Sequence, residues 1–352
     1  IESQLILEYT LHRTCVGGNK GIQKDLDDGI DTIGKKMTVC QLYAKQIRHR
    51  GNVRYNTKNG RKRLMKLLEE DKLGGCPIDS VKLSDAKEWA IRMKEKGISY
   101  KTISNDKRSL KAAFYTAIQD DCIRKNPFDF QLNTVIEDDT EPKVPLTPAQ
   151  EESFLSFAQN DKVYQKYYDE LIILLGTGLR ISELCGLTDT DIDFENRIIN
   201  VDHQLLRSAE TGYYIETPKT KSGIRQIPMS EKVYEAFNRV LKRRRGAKAV
   251  TIDGYSNFLF LNRDGYPKTA TNYDGMFRGL AKKYNKYHEE ALPKVMTPHT
   301  LRHTFCTNMA NAGMNPKALQ YITGHSNITM TLNYYAHATF DSAKAEMLRI
   351  AA

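Results

Sequence analysis

The stretch that decides this chain reads Thr297-Pro-His299-Thr-Leu-Arg302-His303, then Gly324-His325, then Asn333-Tyr334-Tyr335-Ala336-His337. Thr297-Pro298 reads as a helix start that Gly313 ends, and Asn315-Pro316 starts a second helix that Gly324 ends. His299 and Arg302, three apart, share one face of the first helix, while His303 points elsewhere. The start of that helix adds partial positive charge and unpaired N–H groups, a ready phosphate site. Arginine offers a fixed fork of donors that matches phosphate oxygens, and histidine exchanges protons near neutral pH. A tyrosine just beyond can attack and form a covalent intermediate. His299 and His303 have the spacing of a metal pair, but Thr-Leu-Arg lies between them. No glutamate is present there, and the arginine repels a cation.

Upstream, an apolar helix expected over 166–186 carries Leu171-Ile-Ile-Leu-Leu175 and then Gly176-Thr-Gly178-Leu-Arg180-Ile-Ser-Glu183. The glycines bring Arg180 inward, where an unpaired guanidinium is costly. An ion pair with Glu183 would serve structure alone. Three short strands are expected at 197–202, 213–217 and 225–229, with Lys219-Thr-Lys-Ser-Gly223 turning a hairpin between the last two. A lysine at such a tip is either solvated or delivered to a leaving oxygen as general acid. Neither a dinucleotide fingerprint nor a Walker A loop is present. Asp189, Asp191, Asp193 and Glu195 lack the glycine and glutamate of a calcium loop and read as a polar turn. The inventory is two arginines, a lysine and two or three histidines around a tyrosine. It suits a phosphodiester reaction whose charge is carried by side chains.

The first half of the chain is plainer. Apolar residues at helical spacing predict four helices: Val39, Leu42, Tyr43 and Ile47; Leu64, Leu67 and Leu68; Trp89 and Met93; then Ile103, Leu110, Phe114, Ala117 and Ile118. They form a helical domain over 37–131. Residues 132–145, acidic and with two prolines, read as a linker. Thr147-Pro-Ala-Gln150 is a capping box that opens a second domain over 146–352. Residues 1–36 are a short connector.

The 352 residues fit two or three domains. No apolar run approaches the ~20 residues of a membrane helix. The opening Ile1-Glu-Ser-Gln lacks both a signal pattern and a starting Met, which points to a trimmed chain. Six cysteines without a Cys-x-x-Cys pair read as buried free thiols in a reducing cytoplasm. The net charge of +10 favours a polyanionic partner. Its density peaks at Arg48–Lys66 and again at Lys242–Arg245.

Together these residues resemble the tyrosine recombinases (phage-type integrases), in particular integrases of conjugative transposons. The matching pieces are Thr177-Gly-Leu-Arg180-Ile-Ser-Glu183-Leu, the Lys219 turn ending in Arg225-Gln-Ile-Pro228, Thr297-Pro-His299-Thr-Leu-Arg302-His303, Gly324-His325 and Tyr335-Ala-His337, in the family's order. The resemblance implies a mainly α fold with a small antiparallel β-sheet, a helical core-binding domain and a recombinase catalytic domain. It implies Arg180, Lys219, His299, Arg302, His325 and Tyr335 as the catalytic set. Arg180 and Arg302 would clamp the phosphate, with His299 and His325 as further donors or proton-transfer groups. Lys219 (Lys221 as alternative) would protonate the leaving oxygen. The Tyr-x-His ending selects Tyr335 over its neighbour Tyr334 as nucleophile. Arg48, Arg50, Arg61, Lys62, Arg63, Lys101, Lys221 and Arg225 are the expected DNA contacts. No cofactor or metal is implied.

The resemblance further implies duplex DNA as partner (element ends and target site) and a homo-tetramer on that DNA. An excisionase and a host DNA-bending protein are the implied accessories. It implies a bacterial cytoplasmic location at the nucleoid, residues 1–36 as the remnant of an arm-binding domain, and a final helix over 340–350 that docks on a neighbouring subunit.

Overall fold

In the computed structural model, residues 34–51, 53–141, 144–218, 220–244, 250–335 and 347 are described. The chain divides into two units, Ile1–Glu141 and Pro142–Ala352. It is mainly helical with two small antiparallel sheets. Among the described residues no helix is long and apolar enough to cross a membrane.

The first unit is built on α1 (Val39–His49), α2 (Tyr55–Glu69), α3 (Leu83–Glu95) and α4 (Tyr100–Gln119). The Thr38 hydroxyl accepts from the Gln41 N–H at 3.2 Å and the Gln41 side chain accepts from the Thr38 N–H at 2.8 Å, which fixes where α1 starts. Trp89, Phe114 and Phe128 are fully buried, with the Trp89 and Phe128 rings edge-to-face at 5.7 Å. Leu132 and Ile136 also join this core. Asp139 pairs with Lys94 at 2.6 Å. The first part of the expected linker is therefore packed onto the helical unit, because its few apolar side chains find room there.

The second unit opens with α5 (Pro148–Asn160), behind the Thr147–Gln150 capping box. The expected 166–186 helix is two: α6 (Tyr168–Thr177) and α7 (Ile181–Gly186). Gly178 breaks it in the left-handed region at φ +63°, and a Cβ there would sit 2.4 Å from Phe305 Cδ1. Glycine is required on both counts. Leu171, Ile173 and Leu174 of α6 are wholly buried, each contributing roughly 2 kcal/mol by area.

Among the described residues five strands follow rather than three: β1 (Ile192–Asp193), β2 (Ile198–Val201), β3 (Gln204–Ser208), β4 (Gly212–Glu216) and β5 (Arg225–Pro228). Order β1-β2-β5 makes one sheet and β3-β4 a separate hairpin. The segment after β4 is thus no hairpin turn; it crosses from one sheet to the other. In β5 alternate residues Arg225 and Ile227 are buried while Gln226 and Pro228 are exposed. Then come α8 (Glu231–Arg244), α9 (Ala270–Tyr287), α10 (Pro298–Asn311), α11 (Pro316–Thr323) and α12 (Ile328–Leu332), and a 3-10 turn over Asn333–Tyr335. Gly324 closes α11 at φ +64°. Of the expected terminal helix only residue 347 falls among the described residues, and His337 lies outside them.

Candidate active site

Three arginines converge on one helix end. The last carbonyls of α11 accept from all of them: Ile322 O from Arg225 Nε at 2.6 Å, Thr323 O from Arg302 Nη2 at 2.5 Å, and Gly324 O from Arg180 Nη2 at 3.0 Å. Arg302 Nη1 donates to Gly178 O at 2.5 Å, just past the end of α6. Carbonyls at a helix C-terminus carry about half a negative charge, so both helix ends answer cations that would otherwise repel. The two left-handed glycines turn those carbonyls toward the guanidinium groups.

A single carboxylate hydrogen-bonds these arginines among the described residues. Glu183 Oε1 accepts from Arg180 Nη1 at 2.7 Å and Arg225 Nη1 at 3.1 Å, and its Oε2 from Arg225 Nη2 at 2.8 Å and the Arg180 N–H at 2.9 Å. Burial works against its charge, but Arg225 and then Arg180 hold its carboxyl down at about 2. Arg180 is the N-cap of α7, so its backbone and side chain both bind Glu183. The ion pair expected on structural grounds is present, and it leaves Arg180 one-third exposed. Arg302 is 6% exposed, and burial followed by the Arg180 charge pulls its guanidinium down to about 10. It stays charged at neutral pH. Positive charge is in excess here.

His325 follows Gly324 and is buried, with Nδ1 3.0 Å from the Thr331 hydroxyl. Burial, then Arg302, Arg180 and Arg225, lower its imidazole to about 4, so the ring is neutral at physiological pH. His299 lies exposed on the first turn of α10, one turn before Arg302. Lys219 lies outside the described residues; Lys221 is exposed in the turn that follows.

Tyr334 and Tyr335 part ways in the closing 3-10 turn. The Tyr334 ring lies parallel to His325 at 6.3 Å and edge-on to His303 at 4.9 Å. Its hydroxyl is hydrogen-bonded to the Cys306 thiol, and burial, then Cys306, raise its pKa to about 12. The Tyr335 hydroxyl instead donates to Met314 O at 2.6 Å. The structure thus brings Tyr334 to the arginine and histidine cluster, and not Tyr335. In sequence nothing separates two adjacent tyrosines except motif spacing. His303, set aside in the sequence, packs edge-on against the Tyr334 ring.

Arg225 is a further correction. Expected as a DNA contact, its side chain is wholly buried. The period-2 pattern Arg225, Ile227, Met229 was the available signal. Of the other expected contacts, Arg48, Arg50, Lys62, Arg63, Lys101 and Lys221 are exposed and Arg61 is half-buried. Arg63 pairs with the buried Asp106 at 2.5 Å. In the second basic run Arg243 pairs with Asp169 at 2.5 Å and Arg244 donates to Phe258 O. Cys122, Cys185 and Cys306 are buried, whereas Cys40 and Cys76 are partly exposed.

Residues 145–342 match the phage integrase family. The chain is 69% identical over 341 residues to the transposase from transposon Tn916 of Enterococcus faecalis, covering 96% of this chain and 84% of that one. It is 78% identical to the Tn1549 transposon integrase solved with a circular intermediate DNA (TM-score 0.85, covering 89% of this chain and 99% of that one). A lambda integrase dimer on a core site, 15% identical with a TM-score of 0.60 over 96% of this chain and 86% of its own, shares the fold. The excess of positive charge around Glu183, the tyrosine turned toward it and these likenesses agree: the chain belongs to the phage integrase family.

Proposed function

We propose that this protein is a site-specific DNA strand transferase that moves a conjugative-transposon-like element through a 3′-phosphotyrosine intermediate, with Tyr334 as the attacking residue. The observation that carries the reading is the placement of Tyr334 beside His325, in a cluster where two of three guanidinium groups share one carboxylate and the third is held by backbone carbonyls. A pocket with surplus cationic donors is complementary to a phosphodiester, whose charge grows as a fifth oxygen approaches. The printed titles of the Tn1549 integrase structures add support. The arginine and the tyrosine replaced in two of them are as far apart as Arg180 and Tyr334 are here; Tyr335 is one residue further.

In this reading Arg180 and Arg302 hold the scissile phosphate. Tyr334 Oη attacks phosphorus and its proton passes to a histidine, His299 or the neutral His325. The bond from phosphorus to O5′ breaks, and the leaving O5′ takes a proton from Lys219. The phosphotyrosine keeps the bond energy, so a 5′ hydroxyl from another strand can reverse the step without ATP. Until a phosphate arrives, a tyrosine with a pKa near 12 remains protonated.

The helical unit would grip the duplex through Arg48, Arg50, Arg61, Lys62, Arg63 and Lys101, and Lys221 would add a contact from the catalytic unit. Element ends and a target site would be joined within a tetramer in a bacterial cytoplasm, at the nucleoid. An excisionase and a host DNA-bending protein would set the direction. The test is a duplex nicked near the cut and resolved under denaturing conditions. A protein–DNA adduct is expected without metal or ATP; its absence on such a substrate overturns the reading.

A further inference from the structure

Arg225 is the guanidinium that the chemistry above does not use. Its side chain has no exposed surface, so it reaches neither DNA nor solvent. A charge is kept in such a place only when it is paired and hydrogen-bonded. Here four of the five N–H donors have acceptors, spread over three parts of the site. Nε donates to Ile322 O at 2.6 Å, three residues before His325. Nη1 donates to Glu183 Oε1 and to Gly223 O, each at 3.1 Å, and Gly223 closes the turn that follows Lys219. Nη2 donates to Glu183 Oε2 at 2.8 Å.

We propose that Arg225 is a positioning residue that sets the Arg180 guanidinium through Glu183 and ties it to the His325 arm, governing the rate of strand cleavage rather than DNA affinity. The proposal rests on the strand-transferase reading. The physical reason lies in the Glu183 carboxylate. The last torsion of a glutamate is broad, so its plane is set by partners. Each of its oxygens takes one bond from Arg225 and one from Arg180. Two parallel bonds from a planar guanidinium fix that plane, and Arg180 is built on it. A lysine at 225 would bring charge without a plane.

The experiment measures single-turnover cleavage of the nicked duplex by the full chain, the burst amplitude of adduct per folded molecule, DNA affinity and melting temperature. The variants are Arg225→Met, Arg225→Lys, Glu183→Gln and the double Arg225→Met/Glu183→Gln. Arg225→Met is expected to slow cleavage by ~10²-fold, the scale of a 1 Å misplacement, with amplitude and DNA affinity kept. Arg225→Lys should recover only part of the rate. The double variant should be no slower than its slower parent, because both act on one contact.

Wild-type rates in Arg225→Met overturn the proposal, as do losses that multiply in the double variant. A fall in amplitude at an unchanged rate constant assigns Arg225 to stability and also overturns it. So does failure of all Arg225 variants to fold. Weaker DNA binding with a lower salt slope would make it a phosphate contact instead. If the wild type forms no adduct, the strand-transferase reading itself fails. If it does and the Arg225 variants match it, only this inference fails.

Discussion

The helical unit and the candidate site in the second unit treat buried charge in opposite ways. In the helical unit each buried carboxylate has its own cation: Asp71 is held by Arg92 at 2.7 Å, and Asp106 by Arg63 at 2.5 Å. At the candidate site Arg180 and Arg225 share Glu183, and helix-end carbonyls answer Arg302. Balanced pairs leave nothing for a ligand to add. An unbalanced cluster held rigid by dipoles is preorganised for an anion that arrives later. The comparison separates charge that keeps a fold together from charge that waits for a substrate.

The comparison breaks most sharply at Arg302. Arg302→Gln should lower single-turnover cleavage by roughly 10²–10³-fold, the scale of one lost preorganised donor, measured as adduct formation on the nicked duplex. A rate within the wild-type range would mean that the cluster is structural, like the helical unit's pairs. In the helical unit the equivalent change should spare chemistry. Asp71→Asn removes the buried charge that Arg92 pairs with, leaving it only the more distant Glu88 at 3.7 Å, and weakens the cap on the Leu73 N–H. It should cost about 3 kcal/mol in denaturant unfolding with the rate constant for cleavage unaltered.

A subtler probe is pH. His325 carries a pKa of about 4 in the folded chain, below the ordinary imidazole value of about 6.5. Between those values the unfolded chain binds a proton that the folded chain refuses. The His325 contribution is therefore fully present above the unfolded value and is lost as pH falls toward 4. The melting temperature should drop over that window, and the drop should be smaller in His325→Asn; identical curves would deny the shift. The smallest expected effect is none: EDTA should leave adduct formation unchanged, since arginines supply the charge that a metal otherwise would. Strong inhibition would count against that chemistry.

The same contrast explains what could be read in the sequence. Helices with one apolar face, such as α1 with Val39, Leu42 and Tyr43, announce themselves by period, and the Thr147–Gln150 box announces a helix start. Both are local properties of the chain. The Gly178 break is local too, yet the continuous apolar run into it hides the turn. What the sequence does not carry is the convergence of α6, α7, β5, α10 and α11 on one cluster of arginines. Arg225 reads as a surface cation because it follows two lysines, and only the alternation with Ile227 argues otherwise. The choice between Tyr334 and Tyr335 depends on a 3-10 turn of three residues, which no periodicity encodes.

That choice is also where the account is most exposed. The measurement that tests it most directly is adduct formation on a nicked duplex by Tyr334→Phe and Tyr335→Phe, with DNA binding measured alongside. The account predicts that Tyr334→Phe binds DNA and forms no adduct, while Tyr335→Phe still forms one. An adduct that persists in Tyr334→Phe and vanishes in Tyr335→Phe would contradict it.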